Sequence, residues 1–292
     1  MVKQSGRITI HPFRQIIASR RFLLWLALIL LSPLSWAAPQ AEIQVKVGIY
    51  PYPPYVEQNE QGEYEGIAIS LIQLLNEHQN QYQFVAVPIS PKRRYQAFKM
   101  GDYDIIFFEN SAWGWEDIPV EISRPYQTDG EVYVALAEEN RDQQYFADLN
   151  NKRMIGILGF HYGFAGFNAD ENYLRQNFNM ILSWTNEKNL ALLRERHGDI
   201  AVMSKAFLHR FFKDNPDARE EFLVSDRYDQ RYQHSALIRP GFMPGANEIN
   251  QLMDELKSNG KLLELFRPYG IRACSDISLD AQPGQMQDVC LE

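Results

Sequence analysis

The feature that most constrains this chain is an alternation of short apolar strands with helices that runs once and then restarts. Ile43, Val45, Val47 and Ile49 alternate with polar residues, the period-2 pattern of a strand. Tyr50 to Tyr55 (YPYPPY) ends it, because proline has no N–H to give to a ladder. Gln61-Gly62 reads as a turn, and Ile67 to His78 places Leu71, Ile72, Leu74 and Leu75 on one helical face. A strand over Phe84–Ile89 follows, then a helix over Pro91–Met100 with proline in its first turn, then a strand over Asp104–Phe108. That last strand is apolar on both faces, as in a parallel sheet covered by helices on both sides. Around Gly130 the pattern begins again. Strands are predicted over Val132–Leu136, Met154–Leu158, Met180–Trp184, Asp199–Met203, Phe222–Ser225 and His234–Arg239. Helices are predicted after Gly159–Gly163 and over Glu187–Arg196 and Lys205–Phe212. Ile249, Leu252, Met253 and Leu256 recur at helical spacing, and Gly260 interrupts before Leu262–Phe266.

Such alternation predicts an α/β fold, and two blocks predict two lobes, each a mostly parallel sheet flanked by helices. The chain shows no Pro/Gly linker between the blocks. The predicted crossings are therefore the strands near Gly130–Leu136 and His234–Arg239, which makes the second lobe an insertion in the first. The expected division is residues 38–131 with 232–292 in one lobe and 132–231 in the other. Open α/β sheets bind ligands in the crevice at their strand ends.

Residues 1–37 read as a cleaved secretory leader rather than as part of the fold. Lys3, Arg7, Arg14, Arg20 and Arg21 precede an apolar run, Phe22–Leu34, and Ser35-Trp36-Ala37 supplies small residues for cleavage. The run is shorter than the ~20 apolar residues of a spanning helix, and the expected location is the periplasm. Removing the leader leaves 255 of the 292 residues and takes the net charge from −8 to −13. So acidic a chain does not suit nucleic acid, which needs clustered Lys and Arg. Cys274 and Cys290 are the only cysteines. In an oxidising compartment they read as a disulfide that closes the tail, the alternative being two free thiols. No metal-ligand spacing appears, and no cofactor is expected.

Seven segments in order resemble the family 3 extracellular solute-binding proteins, the amino-acid-type receptors of ABC importers with the type II periplasmic binding fold. They are Val47–Tyr55 (VGIYPYPPY), Gly66–Leu71 (GIAISL), Gly101–Ile106 (GDYDII), Ile122–Tyr126 (ISRPY), Lys152–Gly163 (KRMIGILGFHYG), Gly198–Met203 (GDIAVM) and Gly260–Gly270 (GKLLELFRPYG). The resemblance implies two lobes hinging shut over a small molecule, two hinge crossings, delivery to an inner-membrane ABC permease, and a monomer. Closure is then a population shift driven by a ligand that touches both lobes.

The resemblance also implies two ligand anchors, a first-lobe arginine for an α-carboxylate and a second-lobe aspartate for an α-ammonium. Without gaps these positions fall on Glu116 and Ser204, so a standard α-amino acid is not the expected ligand. Matching positions supply Tyr52, Phe108, Glu109 and Ser111 in the first lobe, with Trp113 and Trp115 following, and Phe160, His161 and Tyr162 in the second. Rings and a carboxylate suit an organic cation or an aromatic solute. Arg94 reads either as a solvated helix-surface residue or as a replacement carboxylate anchor. The chain is expected to bind without catalysis. The rivals are a cyclohexadienyl dehydratase-like enzyme on the same fold and a sensor that presents its closed form to a signalling partner. No nucleophile elbow or zinc motif is present to support an enzyme.

Overall fold

The computed structural model describes residues 42–271. The leader and the Cys274–Cys290 pair lie outside the described residues.

Strand β1 (Ile43–Ile49) buries Val45, Val47 and Ile49. It pairs in parallel with β4 (Tyr82–Pro88) along its whole length and with β5 (Ile105–Glu109) at Val47↔Ile105. Between β1 and β4 the chain makes a small hairpin, β2 (Glu57–Gln58) with β3 (Tyr64–Glu65), and then helix α1 (Ile67–His78). The buried face of α1 is Ile67, Ala68, Leu71, Ile72 and Leu75. Gly66 precedes it at φ +114, and a Cβ there would stand 2.6 Å from the Tyr55 carbonyl oxygen, so only glycine suits the entry. The predicted helix after Ile89 starts as a 3-10 turn (Pro91–Arg93) and continues as α2 (Arg94–Met100), which Gly101 ends in the left-handed conformation.

Three elements follow: β6 (Glu121–Ile122), β7 (Gln127–Leu136) and β8 (Met154–Ile157). After β8 comes a 3-10 turn (Gly163–Ala165), not the helix expected directly after Gly163. The helix α3 (Glu171–Phe178) begins where Asp170 accepts the Tyr173 N–H as its N-cap. Then come β9 (Ile181–Ser183), α4 (Asn186–Arg194), β10 (Ile200–Ser204), α5 (Lys205–Asp214), β11 (Phe222–Ile238), α6 (Ala246–Ser258) and α7 (Lys261–Phe266).

The strands form one nine-stranded sheet in the order β4-β1-β5-β11-β7-β10-β8-β9, with β6 beside β11. Both ends of the sheet are parallel, and the joining pairs β5–β11, β11–β7 and β7–β10 are antiparallel. The two strands expected at Phe222–Ser225 and His234–Arg239 are one strand of 17 residues. In its polar middle Tyr228, Gln230 and Arg231 pair with β7, while Asp226, Arg227 and Asp229 bulge out of the pairing at the register shifts Val224/Tyr228 and Tyr228/Gln230.

Side chains pack into three cores. One collects residues 45–126 and 232–271, joined by Ala206. The others lie on opposite faces of β7, β8 and β10: Val132, Val134, Ala201 and Met203 face α4 and α5, whereas Tyr133, Ala135, Ile200 and Val202 face Phe146, Tyr162 and Leu174. The two-lobed α/β architecture follows from this arrangement, and it explains why these strands read as unbroken apolar runs. Among the described residues, no helix is long and apolar enough to cross a membrane, and no group of three or more His, Cys, Asp or Glu is placed to hold a metal ion.

Candidate functional site

The site starts from an irregularity at the end of β5. The ladder with β11 shifts register between Ser235 and Leu237, and Phe108 takes φ +57, a conformation that a bulky residue adopts only when its surroundings impose it. Its N–H donates to the Tyr126 hydroxyl at 2.7 Å. Beyond the bulge, Glu109 is wholly buried. Its carboxylate accepts from Arg94 Nε at 3.1 Å, Trp115 Nε1 at 2.9 Å and the Tyr50 hydroxyl at 2.9 Å. Burial pushes the Glu109 carboxyl up, and the Arg94 charge and these hydrogen bonds oppose that shift.

Arg94 opens α2 and is 2 % exposed, so it is not the solvated helix-surface arginine that one reading of the sequence offered. Its Nη1 donates to the Pro91 carbonyl at 2.6 Å and the Gly159 carbonyl at 3.2 Å, and its Nη2 lies 3.3 Å from His161 Nδ1. The guanidinium also lies over the rings of Tyr95 (4.3 Å) and Tyr50 (5.2 Å). These four bonds occupy most of the five N–H groups of a guanidinium.

Burial, with Arg94 adding repulsion, pushes His161 down to about 3, so the ring is neutral. Because Nδ1 accepts from Arg94, the proton sits on Nε2, which lies 3.4 Å from the Tyr95 hydroxyl. That hydroxyl in turn donates to the Trp113 carbonyl.

The opposite wall comes from the paired strands β7 and β11. Gln230 Nε2 donates to Glu131 Oε2 at 2.8 Å and to the His161 carbonyl at 2.6 Å, while Gln230 Oε1 accepts from Trp113 Nε1 at 3.1 Å. One amide thus ties together the loop after β5, the loop after β8 and strand β7. Asp229 beside it accepts from the Gly163 and Phe164 N–H groups and from the Tyr133 hydroxyl, which fixes the 3-10 turn after Tyr162.

These groups enclose a cavity of ≈ 260 Å³, counting the solvent at its mouth. Its rings are Tyr50, Tyr52, Trp113 and Phe160, and its polar groups are Arg94, Glu131, His161 and Gln230, with Gly159. The mixture of rings with a few converging polar groups is typical of small-molecule sites. Phe160 meets Tyr52 edge-on at 5.3 Å between centroids, and Tyr52 also neighbours Tyr55 (4.8 Å) and Trp113 (6.1 Å). Behind it, a second space of ≈ 300 Å³ runs from Val47 to Phe108 beneath Tyr52 and Tyr55.

Five residues singled out from the sequence, Tyr52, Arg94, Trp113, Phe160 and His161, are brought together here, and Glu109 stands behind Arg94. Others are placed elsewhere. Phe108 packs in the first core against Tyr55 and Tyr126. Tyr162 lies in a second-lobe core with its hydroxyl donating to the Ile157 carbonyl. Ser204 is buried as the N-cap of α5, accepting from Phe207 N–H at 3.2 Å. Ser111 and Glu116 are exposed on the turns between β5 and β6 and do not line the cavity. The position that ungapped counting assigned to an anchor, Glu116, is carried outward by its turn. Tyr50, Glu131 and Gln230 were not anticipated. Glu131 did carry a signal, since it is a lone acid opening the apolar run Val132–Leu136.

A family model described as bacterial extracellular solute-binding proteins, family 3, matches residues 45–271. No curated protein matched the sequence. Several solved structures share the fold. A substrate-binding protein of an ABC uptake transporter from Streptococcus pneumoniae, with bound histidine, is 17% identical, with a TM-score of 0.64 over 77% of this chain and 92% of its own. A mutant of ArgBP from T. maritima is 18% identical, with a TM-score of 0.60 over 78% and 95%. The ancestral amino acid-binding protein AncCDT-1, a precursor of cyclohexadienyl dehydratase, is 18% identical, with a TM-score of 0.59 over 77% and 95%.

Proposed function

This chain belongs to the bacterial extracellular solute-binding proteins of family 3, and on that premise we propose that it captures a small, positively charged solute with ring-compatible apolar parts, not a standard α-amino acid. The lobes are residues 38–131 with 232–292, and 132–231. They close over the solute in the periplasm, and the closed form, a monomer, is handed to an inner-membrane ABC permease. The observation that carries the reading is the charge balance of the cavity. Arg94, the cation that lines it, is neutralised by Glu109 and engaged by backbone and His161. An α-carboxylate would have to displace those bonds to reach it, and Glu131 would repel it. Four rings remain to face a cation or a flat apolar group.

The same cavity argues for binding without turnover. Catalysis by proton transfer needs a group whose protonation changes near working pH. His161 is held neutral far below that range and Glu109 is locked by three donors, which leaves Glu131, among the described residues, as a lone acid in the cavity without a second proton-transfer group beside it. The test is a thermal-shift screen of purified protein, because a ligand that binds only the native state raises the midpoint by mass action. Amines should raise it and standard α-amino acids should not. A shift with common amino acids alone would refute the ligand class. Turnover of prephenate or arogenate would replace the binding role with an enzymatic one.

A further inference from the structure

Glu131 is 4 % exposed and faces the cavity from β7, yet the protein does little to compensate its charge. The bond it receives from Gln230 comes from a neutral amide. Among the described residues, the charged groups that act on it are two acids, Asp229 and Asp129, not a cation. Those acids are provided for. Asp229 has two backbone N–H groups and the Tyr133 hydroxyl, and Asp129 has the Tyr55 hydroxyl and the Gly130 N–H. Glu109, the other buried acid at the cavity, has Arg94. A carboxylate offers about four acceptor positions, and a buried one is costly until a donor cation fills them.

Resting on the reading of this cavity as a capture site, we infer that Glu131 is the anchor for a protonated primary or secondary amine, whose N–H groups bond the carboxylate while the carbon frame lies among Tyr50, Tyr52, Trp113 and Phe160. The requirement for N–H sets the class. A quaternary ammonium can use the rings but cannot fill the acceptor positions of a carboxylate. An amine that also carries a carboxylate meets an Arg94 whose donors are mostly taken. Gln230 is a positioning residue: it holds Glu131 on one side and Trp113 and the His161 carbonyl on the other, so the acid and the rings are set together.

Burial and the neighbouring acids push the Glu131 carboxyl up, a shift that a cation bound beside it opposes. The groups around it that also bear charge or titrate are Asp129 and Asp229 on β7 and β11, Lys205 beside Asp129, and Arg94 and neutral His161 across the cavity.

The experiment is isothermal titration calorimetry of the full mature protein with phenethylamine, putrescine, trimethylphenethylammonium and histidine, in two buffers of different ionisation enthalpy. At least one amine should bind, and the difference in heat between the buffers reads any proton exchanged on binding. Glu131→Gln, checked for folding by circular dichroism, should weaken that amine by roughly 30-fold or more and remove any buffer dependence, as for loss of one partner of a buried charge pair. An amine held equally by Glu131→Gln, or trimethylphenethylammonium bound as tightly as phenethylamine, overturns the inference. If histidine or a solute without an ammonium group binds and Glu131→Gln is silent, the anchor is wrong and the capture role stands. If no small solute binds saturably, the capture role itself is wrong, and the anchor falls with it.

Discussion

Replacing Glu109 by glutamine keeps the shape of the side chain and an oxygen where Trp115 and Arg94 donate, turns an amide N–H towards the Tyr50 hydroxyl, and removes the charge facing Arg94. The pair is almost fully out of water, with side-chain exposures of 3% and 0%, so the discount for solvent screening is small. Breaking such a pair from one side costs about 3–5 kcal/mol, because an uncompensated charge is left buried. For a domain of this size, each kcal/mol moves the midpoint by about 2–4 °C, so Glu109→Gln should melt some 6–20 °C lower. Arg94→Met should cost less. The carboxyl it strands escapes by taking a proton, towards which burial already pushes it, whereas a guanidinium has no such escape. The sign with pH follows. A carboxyl raised in the folded state binds more protons than in the unfolded chain, so the Arg94→Met penalty should grow as pH rises from about 4.5 through the folded value. The double variant removes both charges and should lie within about 2 kcal/mol of the parent, giving a coupling of at least about 2 kcal/mol. Urea denaturation of the four proteins at pH 7, with one pH series, measures all of this. Penalties that add within about 0.5 kcal/mol, or an arginine variant that is worse than the glutamine variant, would refute the reasoning.

His234 is fully buried among Tyr52, Tyr55, Phe108, Trp113 and Tyr232, and burial pushes it down to about 3, as it does His161. The unfolded chain therefore takes up these protons first as pH falls below about 6.5, and each histidine withdraws roughly 1.4 kcal/mol of stability per pH unit down to about 3. Nitrogen-15 spectra should find both imidazoles neutral at pH 5, and titration of either near 6.5 would contradict the geometry. Tyr52→Ala removes the ring that meets Phe160 edge-on; calorimetry should find binding of the true solute weakened by about tenfold or more with the lobe still folded, and unchanged affinity removes Tyr52 from the site. Asp229→Ala frees the N–H groups of Gly163 and Phe164 and the Tyr133 hydroxyl and should cost about 2–4 kcal/mol, read as a lower urea midpoint. Faster hydrogen exchange should be concentrated in residues 159–166, and exchange spread evenly over β8 and β10 would mean that Asp229 does not hold this turn.

Much of the architecture was legible because it depends on periodicity. The alternation in β1, the single face of α1, and the apolar runs of β8 and β10 each match a burial pattern in the structure. Where local pattern and tertiary pairing disagree, the sequence misleads. Phe222–Ser225 and His234–Arg239 read as two separate strands, but pairing with β7 makes one strand of the whole stretch. The site was legible where it is aromatic, at Tyr52, Trp113 and Phe160, and less so where it is charged. Arg94 is preceded by Lys92 and Arg93 on a helix start that looks solvated. Only the fold brings Gly159 and His161 down onto it and Glu109 up beneath it. Glu116 and Ser204 occupy the positions where anchors were sought, one facing water and the other spent on the helix that follows. Ser204 lies directly across the ladder from Glu131, so the acid stands one strand away from the position where the resemblance led us to look for it.

The 17-residue strand β11 is shared property. Its first part completes the ladder beside Leu136 and Val134, and its last part completes the one beside Ile105 and Ile106. Neither half of the molecule can therefore be excised as a self-sufficient fragment. A cut near 131 or 232 would strip a hydrogen-bonded neighbour from whichever piece lost it, baring a long apolar edge of the kind that seeds aggregation. Attempts to express one half alone, or to splice a reporter into the middle of this strand, should yield insoluble material. The exposed turns at Asn59–Gly62 and Asn150–Asn151, which lie outside the large sheet, are the natural insertion points.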